Sequence, residues 1–214
     1  MKLYIGNKNY SSWSLRPWLA MKMAGVAFEE ERICLDQPDT REKILAVSPS
    51  GRVPALVDGA LTVWDSLAIC EYVNETYAGG RMWPADRAMR ARARAAACEM
   101  HSSFAAVRTH MSMNIRRRAP ERGAAALARP EVAADVARLQ ALWAEALLRS
   151  GGPCLFGEFC IADAFYAPVL TRFVTYGVAL EGRLAEYSDH VLGLAPMREW
   201  TAAAHAEIED LGDH

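Results

Sequence analysis

Three short stretches hold residue types that could do chemistry at the spacing found. Asp65-Ser66 stands directly before apolar residues Leu67, Cys70, Val73 and Tyr77, which fall on one helical face. A helix start offers unpaired N–H groups and a partial positive charge, so this pair suits a carboxylate ligand. A plain helix cap would use the same two residues. Just upstream, Gly51-Arg52-Val53-Pro54 puts a proline at the entrance to a strand. Proline has no N–H, fixes its own φ and populates the cis peptide readily. A bent edge is therefore expected, with the Val53 backbone free to pair with something else. The third stretch is Ser11-Ser12-Trp13-Ser14. Pro17 is tolerated only in a first helical turn, which sets the helix start near Trp13 or Ser14 and crowds three hydroxyls around it. Capping is the plain reading of such a cluster, and Ser14 is read as the cap.

The elements that must position these residues follow from the local pattern. Lys2 to Gly6 reads as a strand, and the first helix runs to about Gly25 with Leu15, Trp18, Leu19 and Met23 inward. Phe28 to Leu35 is a second strand, and Asp39 to Ala46 forms one or two helical turns. Ala55 to Val57 and Leu61 to Trp64 are paired strands joined through Asp58-Gly59-Ala60, a hairpin signal. Past Ala78-Gly79-Gly80-Arg81 and Met82-Trp83-Pro84 the period becomes helical. Met89, Ala93, Ala97, Met100, Phe104, Val107, Met111 and Ile115 describe one long helix, which Pro120 stops. A second helix follows Pro130, a third starts near Ile161, Arg183 to His190 is short and irregular, and Pro196 opens a last helix with Trp200, Ala204 and Ile208 inward. The expected architecture is an α/β domain over residues 1–78, a linker over 79–85, and an all-helical domain over 86–214.

The 214 residues, 52% hydrophobic and 23% charged with net charge −2, have an ordinary globular balance. That charge disfavours nucleic acid or an anionic membrane as partner, and Arg90, Arg92, Arg94 and Arg116 to Arg118 read as a solvated helix face. No leader is expected after Lys2, and no apolar run approaches the ~18 residues that span a bilayer. Cys34, Cys70, Cys98, Cys154 and Cys160 are odd in number and lack C-x-x-C spacing. They are expected to be reduced and mostly buried, in a cytoplasmic protein. No G-x-G-x-x-G, Walker loop or H-E-x-x-H is present, so dinucleotide, nucleotide and zinc-hydrolase readings have no support and no metal is expected. Asp163 fits a capping box with Cys160, whose thiol is a poor acceptor.

P-x-G-R-V-P-A-L from Pro49, the Asp-Gly hairpin and D-S-L-A-I from Asp65 resemble the glutathione-binding half of the cytosolic glutathione transferases. Ser11-Ser12-Trp13-Ser14 is similar to the zeta-class S-S-C-x motif, and F-G-E-F-C-I-A-D-A from Phe156 to the helix start of the second domain. The nearest likeness is to serine-type, zeta- or theta-like bacterial members. The resemblance implies a thioredoxin-like N-terminal domain, an all-α C-terminal domain, glutathione as co-substrate and a homodimer. It also implies attack of the glutathione thiolate on a small, electrophilic, partly apolar substrate, as in detoxification.

On that resemblance, Val53 pairs with the cysteinyl backbone of glutathione and Ser66 holds the γ-glutamyl carboxylate. Asp65 meets the ammonium, and Arg52 either approaches the glycyl carboxylate or stays solvated. Ser11 is the implied donor to the thiol, Ser12 the next choice and Tyr4 the rival. Trp13 stands where the zeta pattern has cysteine, and no cysteine near the first helix supports mixed-disulfide chemistry. Met100, His101, Phe104, Arg108 and Met111 are expected along the electrophile cleft, with no catalytic role for His101 or His110. Two other functions fit the same fold: a glutathione-dependent cis-trans isomerase of maleylacetoacetate type, and a non-catalytic interaction protein.

Overall fold

The computed structural model describes residues 1–212, so the last two residues of the expected helical segment lie outside the described residues. β1 (Lys2–Ile5), α1 (Ser12–Met23), β2 (Glu29–Arg32), α2 (Thr40–Leu45), β3 (Ala55–Asp58), β4 (Leu61–Trp64) and α3 (Ser66–Thr76) follow the expected order. The four strands form one sheet in the order β2-β1-β3-β4. β1 runs parallel to β2 with Leu3 opposite Glu30, and antiparallel to β3 with Leu3 opposite Leu56. This is the mixed sheet of a thioredoxin-like fold, and Val53-Pro54 is a cis peptide. Leu3, Ile5 and Leu56 of the sheet, Leu15, Trp18 and Leu19 of α1, and Ile69, Cys70 and Val73 of α3 are buried in one core. Tyr77 lies past the end of α3 and is exposed rather than on its buried face, its hydroxyl bonded with that of Tyr72 to Asp58.

α1 begins at Ser12, so Pro17 sits inside the helix and not in its first turn. The N-cap is Ser11, whose Oγ accepts the Ser14 N–H; Ser14 is not the cap. Burial of nine of the helix's residues outweighs the hydrogen bond that proline cannot donate.

The remaining elements are α4 (Arg87–Ser102), α5 (Ala105–His110), α6 (Pro120–Leu127), α7 (Pro130–Ser150), α8 (Ile161–Tyr176), α9 (Arg183–Leu192) and α10 (Ala195–Ala206). The single long helix expected over Met89–Ile115 is broken. Ser103 is extended and Phe104 has φ +61°, and the Arg108 guanidinium folds back onto the carbonyls of Met100, His101 and Ser103 at the end of α4. Pro120 opens a helix where termination was expected, its missing N–H costing nothing at a first turn. Residues 183–192 form a regular helix, with Tyr187 and Val191 buried. Ile208 lies beyond α10 and is 92% exposed. α8 is buried along nearly its whole length and packs on α1, tying the helical half to the sheet. The box at its start forms: Asp163 accepts the N–H of Cys160 at 2.9 Å and of Leu155 at 3.0 Å. No helix among the described residues is long and apolar enough to cross a membrane.

Candidate functional site

A cleft of about 610 Å³ opens where the loop before β3, the start of α3 and the end of α4 converge. Ser50, Arg52, Val53 and Pro54 form one side, Trp64, Asp65 and Ser66 another, and Trp13 and His101 close it. Four residues singled out in the sequence, Arg52, Val53, Asp65 and Ser66, are therefore brought together.

Asp65 has φ +75°, a conformation few L-residues adopt, at the entrance to α3. Its Oδ1 accepts the N–H groups of Leu67 at 2.8 Å and Ala68 at 3.4 Å, the ordinary work of a cap. Its Oδ2 faces His101 Nε2 at 3.3 Å and is the atom open to a further cation. Ser66 is the first residue of α3, where backbone N–H groups lack helical acceptors. The residue lines the cleft, and its hydroxyl is buried without a hydrogen-bond partner. An orphan hydroxyl at a helix N-terminus beside a capping carboxylate suits an anion on one side and a cation on the other.

Ser11 and Ser12 lie next to the cleft but do not line it; Trp13 does. Ser11 donates its hydroxyl to Ser14 Oγ at 2.7 Å, and Ser14 Oγ in turn accepts the Gly6 N–H at 3.1 Å. Ser12 Oγ accepts from Arg172 Nη2 at 3.2 Å, which leaves its own proton free to donate. Tyr4 is on β1, opposite Ala55, and takes no part in the cleft.

Of the expected electrophile-cleft residues only His101 reaches the opening. Met100, Phe104 and Met111 are core residues. His101 packs edge-on to Trp13, with ring centroids 5.2 Å apart. Burial pushes its imidazole below the ordinary pKa; Asp65 opposes that shift, while Arg16 and Arg108 add to it.

Below Trp13 lie three guanidinium groups from three helices. Arg16 of α1 is fully buried and stacked 4.0 Å from the Trp13 ring centroid and 4.9 Å from that of Phe165. Arg108 of α5 lies 4.8 Å from the same tryptophan, and Arg172 of α8 is also buried. Burial, then mutual repulsion, holds Arg16 well below the usual arginine range and Arg172 down to about 10. Sequence reading placed Arg108 along the electrophile cleft but missed Arg16 and Arg172, for which two signals were present. Arg16 follows Ser12 by one helical turn, and Arg172 is the lone charge in the apolar run from Ala164 to Val174.

Comparison with known proteins fits this geometry. The family model described as "Glutathione S-transferase, N-terminal domain" matches residues 10–76, and "Glutathione S-transferase, C-terminal domain" matches 86–205. The chain is 47% identical over 60 residues to a dichloromethane dehalogenase of Methylorubrum extorquens, a match covering 27% of this chain and 21% of that protein. It is 33% identical over 93 residues to a probable maleylacetoacetate isomerase of Caenorhabditis elegans, covering 44% and 42%. These matches span less than half the length of either relative. A glutathione transferase homolog from Burkholderia, solved with bound glutathione, superposes with a TM-score of 0.71 at 23% identity over 96% of this chain and 98% of that one. With both family models matched, and the second alone spanning more than half of its residues, the chain belongs to the glutathione S-transferase family.

Proposed function

We propose that this chain is a glutathione transferase whose cleft holds glutathione along the 52–66 edge. The γ-glutamyl carboxylate sits on the Ser66 hydroxyl and N–H, the ammonium on Asp65 Oδ2, and the cysteinyl backbone beside Val53. Arg52 meets the glycyl carboxylate. The thiol then points toward the first turn of α1, where Ser11 and Ser12 stabilise thiolate over thiol for attack on an electrophilic carbon. Ser12 is the better placed of the two, since the Ser11 proton is already given to Ser14.

The observation that carries this reading is the buried, unpartnered hydroxyl of Ser66, a residue that lines the cleft. A cap needs only Asp65; Ser66 has no structural bond to lose. Ser66→Ala should therefore leave the melting temperature unchanged and weaken glutathione about 10- to 100-fold, the range of one charge-assisted hydrogen bond. Titration calorimetry reads the affinity. Unchanged affinity would sink the placement, whereas weak glutathione affinity in the wild type with no rate effect of Ser11→Ala would favour a non-catalytic interaction protein on this fold. An isomerase reading is favoured by the likeness to the probable maleylacetoacetate isomerase; turnover without net consumption of glutathione would select it.

The protein acts as a cytoplasmic homodimer in detoxification. β4 is an edge strand of the sheet, with Leu61 and Trp64 exposed on its two faces, and offers an edge that a second copy can cover. Sedimentation equilibrium of the wild type and Leu61→Glu tests the pairing.

A further inference from the structure

We propose that Glu207 is a positioning residue for the reaction, and that the segment after α10, residues 207–211, is a clasp that sets the turn delivering Ser11 and Ser12 to the thiol. This rests on the glutathione reading for the position of the thiol and adds a group that acts through the turn.

Residues 7–12 form a compact turn into α1. The Asn7 carbonyl accepts the N–H groups of Tyr10 at 3.1 Å and Ser11 at 2.8 Å, and the Tyr10 carbonyl accepts that of Ser12 at 3.0 Å. The N–H groups of Lys8 and Asn9 take no part in that pattern. They are consecutive in the chain, an arrangement that suits an anion. Glu207 supplies it, one carboxylate oxygen to each N–H, at 2.6 and 3.0 Å. Lys8 and Asn9 are buried, so water is a poor substitute for that carboxylate. Of the charges nearby, Arg32 lies 3.2 Å from Glu207, whereas the Lys8 ammonium is given to Glu30 at 2.8 Å.

The rest of the segment is held by polar groups, and its Ile208 is exposed. Arg116 donates to the carbonyls of Glu207 and Glu209 and to the Tyr10 hydroxyl. That hydroxyl donates to Asp210 at 3.1 Å and accepts the Leu211 N–H at 3.2 Å. Arg116 also gives its own N–H to Asn9 Oδ1 at 2.9 Å. Ordering an extended segment costs backbone entropy, and here the bonds that offset it converge on residues 8–10. What they fix is the approach to Ser11, the cap of α1, and Ser12, its first residue. A reacting group misplaced by about 1 Å can cost a reaction about 100-fold. Loosening Lys8 and Asn9 frees the Asn7 carbonyl to drift, and with it the Ser11 N–H that it holds.

Two variants in the full chain test the clasp. Glu207→Gln keeps the size but puts an NH2 where one N–H needs an acceptor. Arg116→Met releases the segment's carbonyls and leaves Glu207 intact. Ultraviolet titration of bound glutathione reads the pH at which the thiolate forms, a midpoint that loss of folded protein does not move. In Glu207→Gln it should rise by about 0.5–1 pH unit, a loss of about 3- to 10-fold in thiolate at neutral pH, as a donor to the thiolate is displaced. Arg116→Met should shift it in the same direction by less. Glutathione affinity at acid pH, where the thiol is protonated, should stay within about twofold of wild type, because the 52–66 edge is untouched. Hydrogen exchange should show the Ser11 and Ser12 amides losing protection in both variants. An unchanged midpoint in either variant that folds overturns the proposal, and so does unchanged protection of those two amides. A fall in acid-pH affinity as large as the loss of thiolate overturns it too, since the whole site would then have moved. Absence of glutathione binding in the wild type would instead sink the glutathione reading, and exchange at Ser11 and Ser12 would still decide whether the clasp sets the turn.

Discussion

Removing the Glu207 carboxylate should cost more stability than removing any exposed ion pair of this protein. Glu207 follows α10, and its side chain is only 6% exposed. One oxygen accepts the Lys8 N–H at 2.6 Å and the other the Asn9 N–H at 3.0 Å, and Arg32 lies 3.2 Å away. Lys8 and Asn9 are buried, so Glu207→Ala strands two backbone donors. At about 1.5–3 kcal/mol for each bond to a charged acceptor, less what entering water restores, the loss is about 3–4 kcal/mol. Set against a typical ~5–15 kcal/mol of total stability, that is a large fraction. Arg32 keeps its bonds to Glu209 at 2.8 and 3.0 Å and contributes little to the difference. Urea unfolding gives the free energy, and hydrogen exchange gives a local readout, because the Lys8 and Asn9 amides should lose protection first. A change below about 1 kcal/mol with both amides still protected would refute the reasoning.

Two further outcomes concern the segment that follows α10 and the start of α8. Glu209 is held down to about 2, first by its hydrogen bond to Arg32. A depressed carboxylate contributes stability that is present above its unfolded value of 4.5 and lost as pH falls toward 2. Glu209→Gln should thus flatten the acid limb of a stability–pH curve between those values and leave a smaller difference below them. Cys160→Ser should raise the melting temperature by a few degrees, since a hydroxyl caps better than the thiol now at that position; scanning calorimetry decides, and a lower value counts against it.

How much was legible in the sequence differed by element. The sheet, α3 and the cleft edge follow from turn and proline signals that act over a few residues, so Val53-Pro54 and Asp65-Ser66 were readable, whereas Pro17 sits inside α1 and misled as to its first turn. The break at Ser103-Phe104 was not. Its apolar spacing continues unbroken, and what interrupts it is Arg108 bonding carbonyls a turn and more upstream, with Asp135 of α7 accepting the Val107 N–H at 3.1 Å. Pro120 is compatible with ending one helix or starting another, and only packing of α6 against α7 and α8 decides. The arginine cluster draws on α1, α5 and α8, so spacing along any one helix shows a single charge. Ser11 against Ser14 as cap turned on one hydrogen bond.

The loop before Ser11 is pinned from two distant places. Asn9 bonds Asn114 and the Arg116 N–H, Glu207 bonds Lys8 and Asn9, and Tyr10 meets Asp210 and the Leu211 N–H. A nascent chain can pair β1 with β3 early, yet the turn that leads into Ser11 and Ser12 cannot settle until residues some 200 positions later have emerged from the ribosome. The sheet can therefore form before the turn that leads into α1 is fixed.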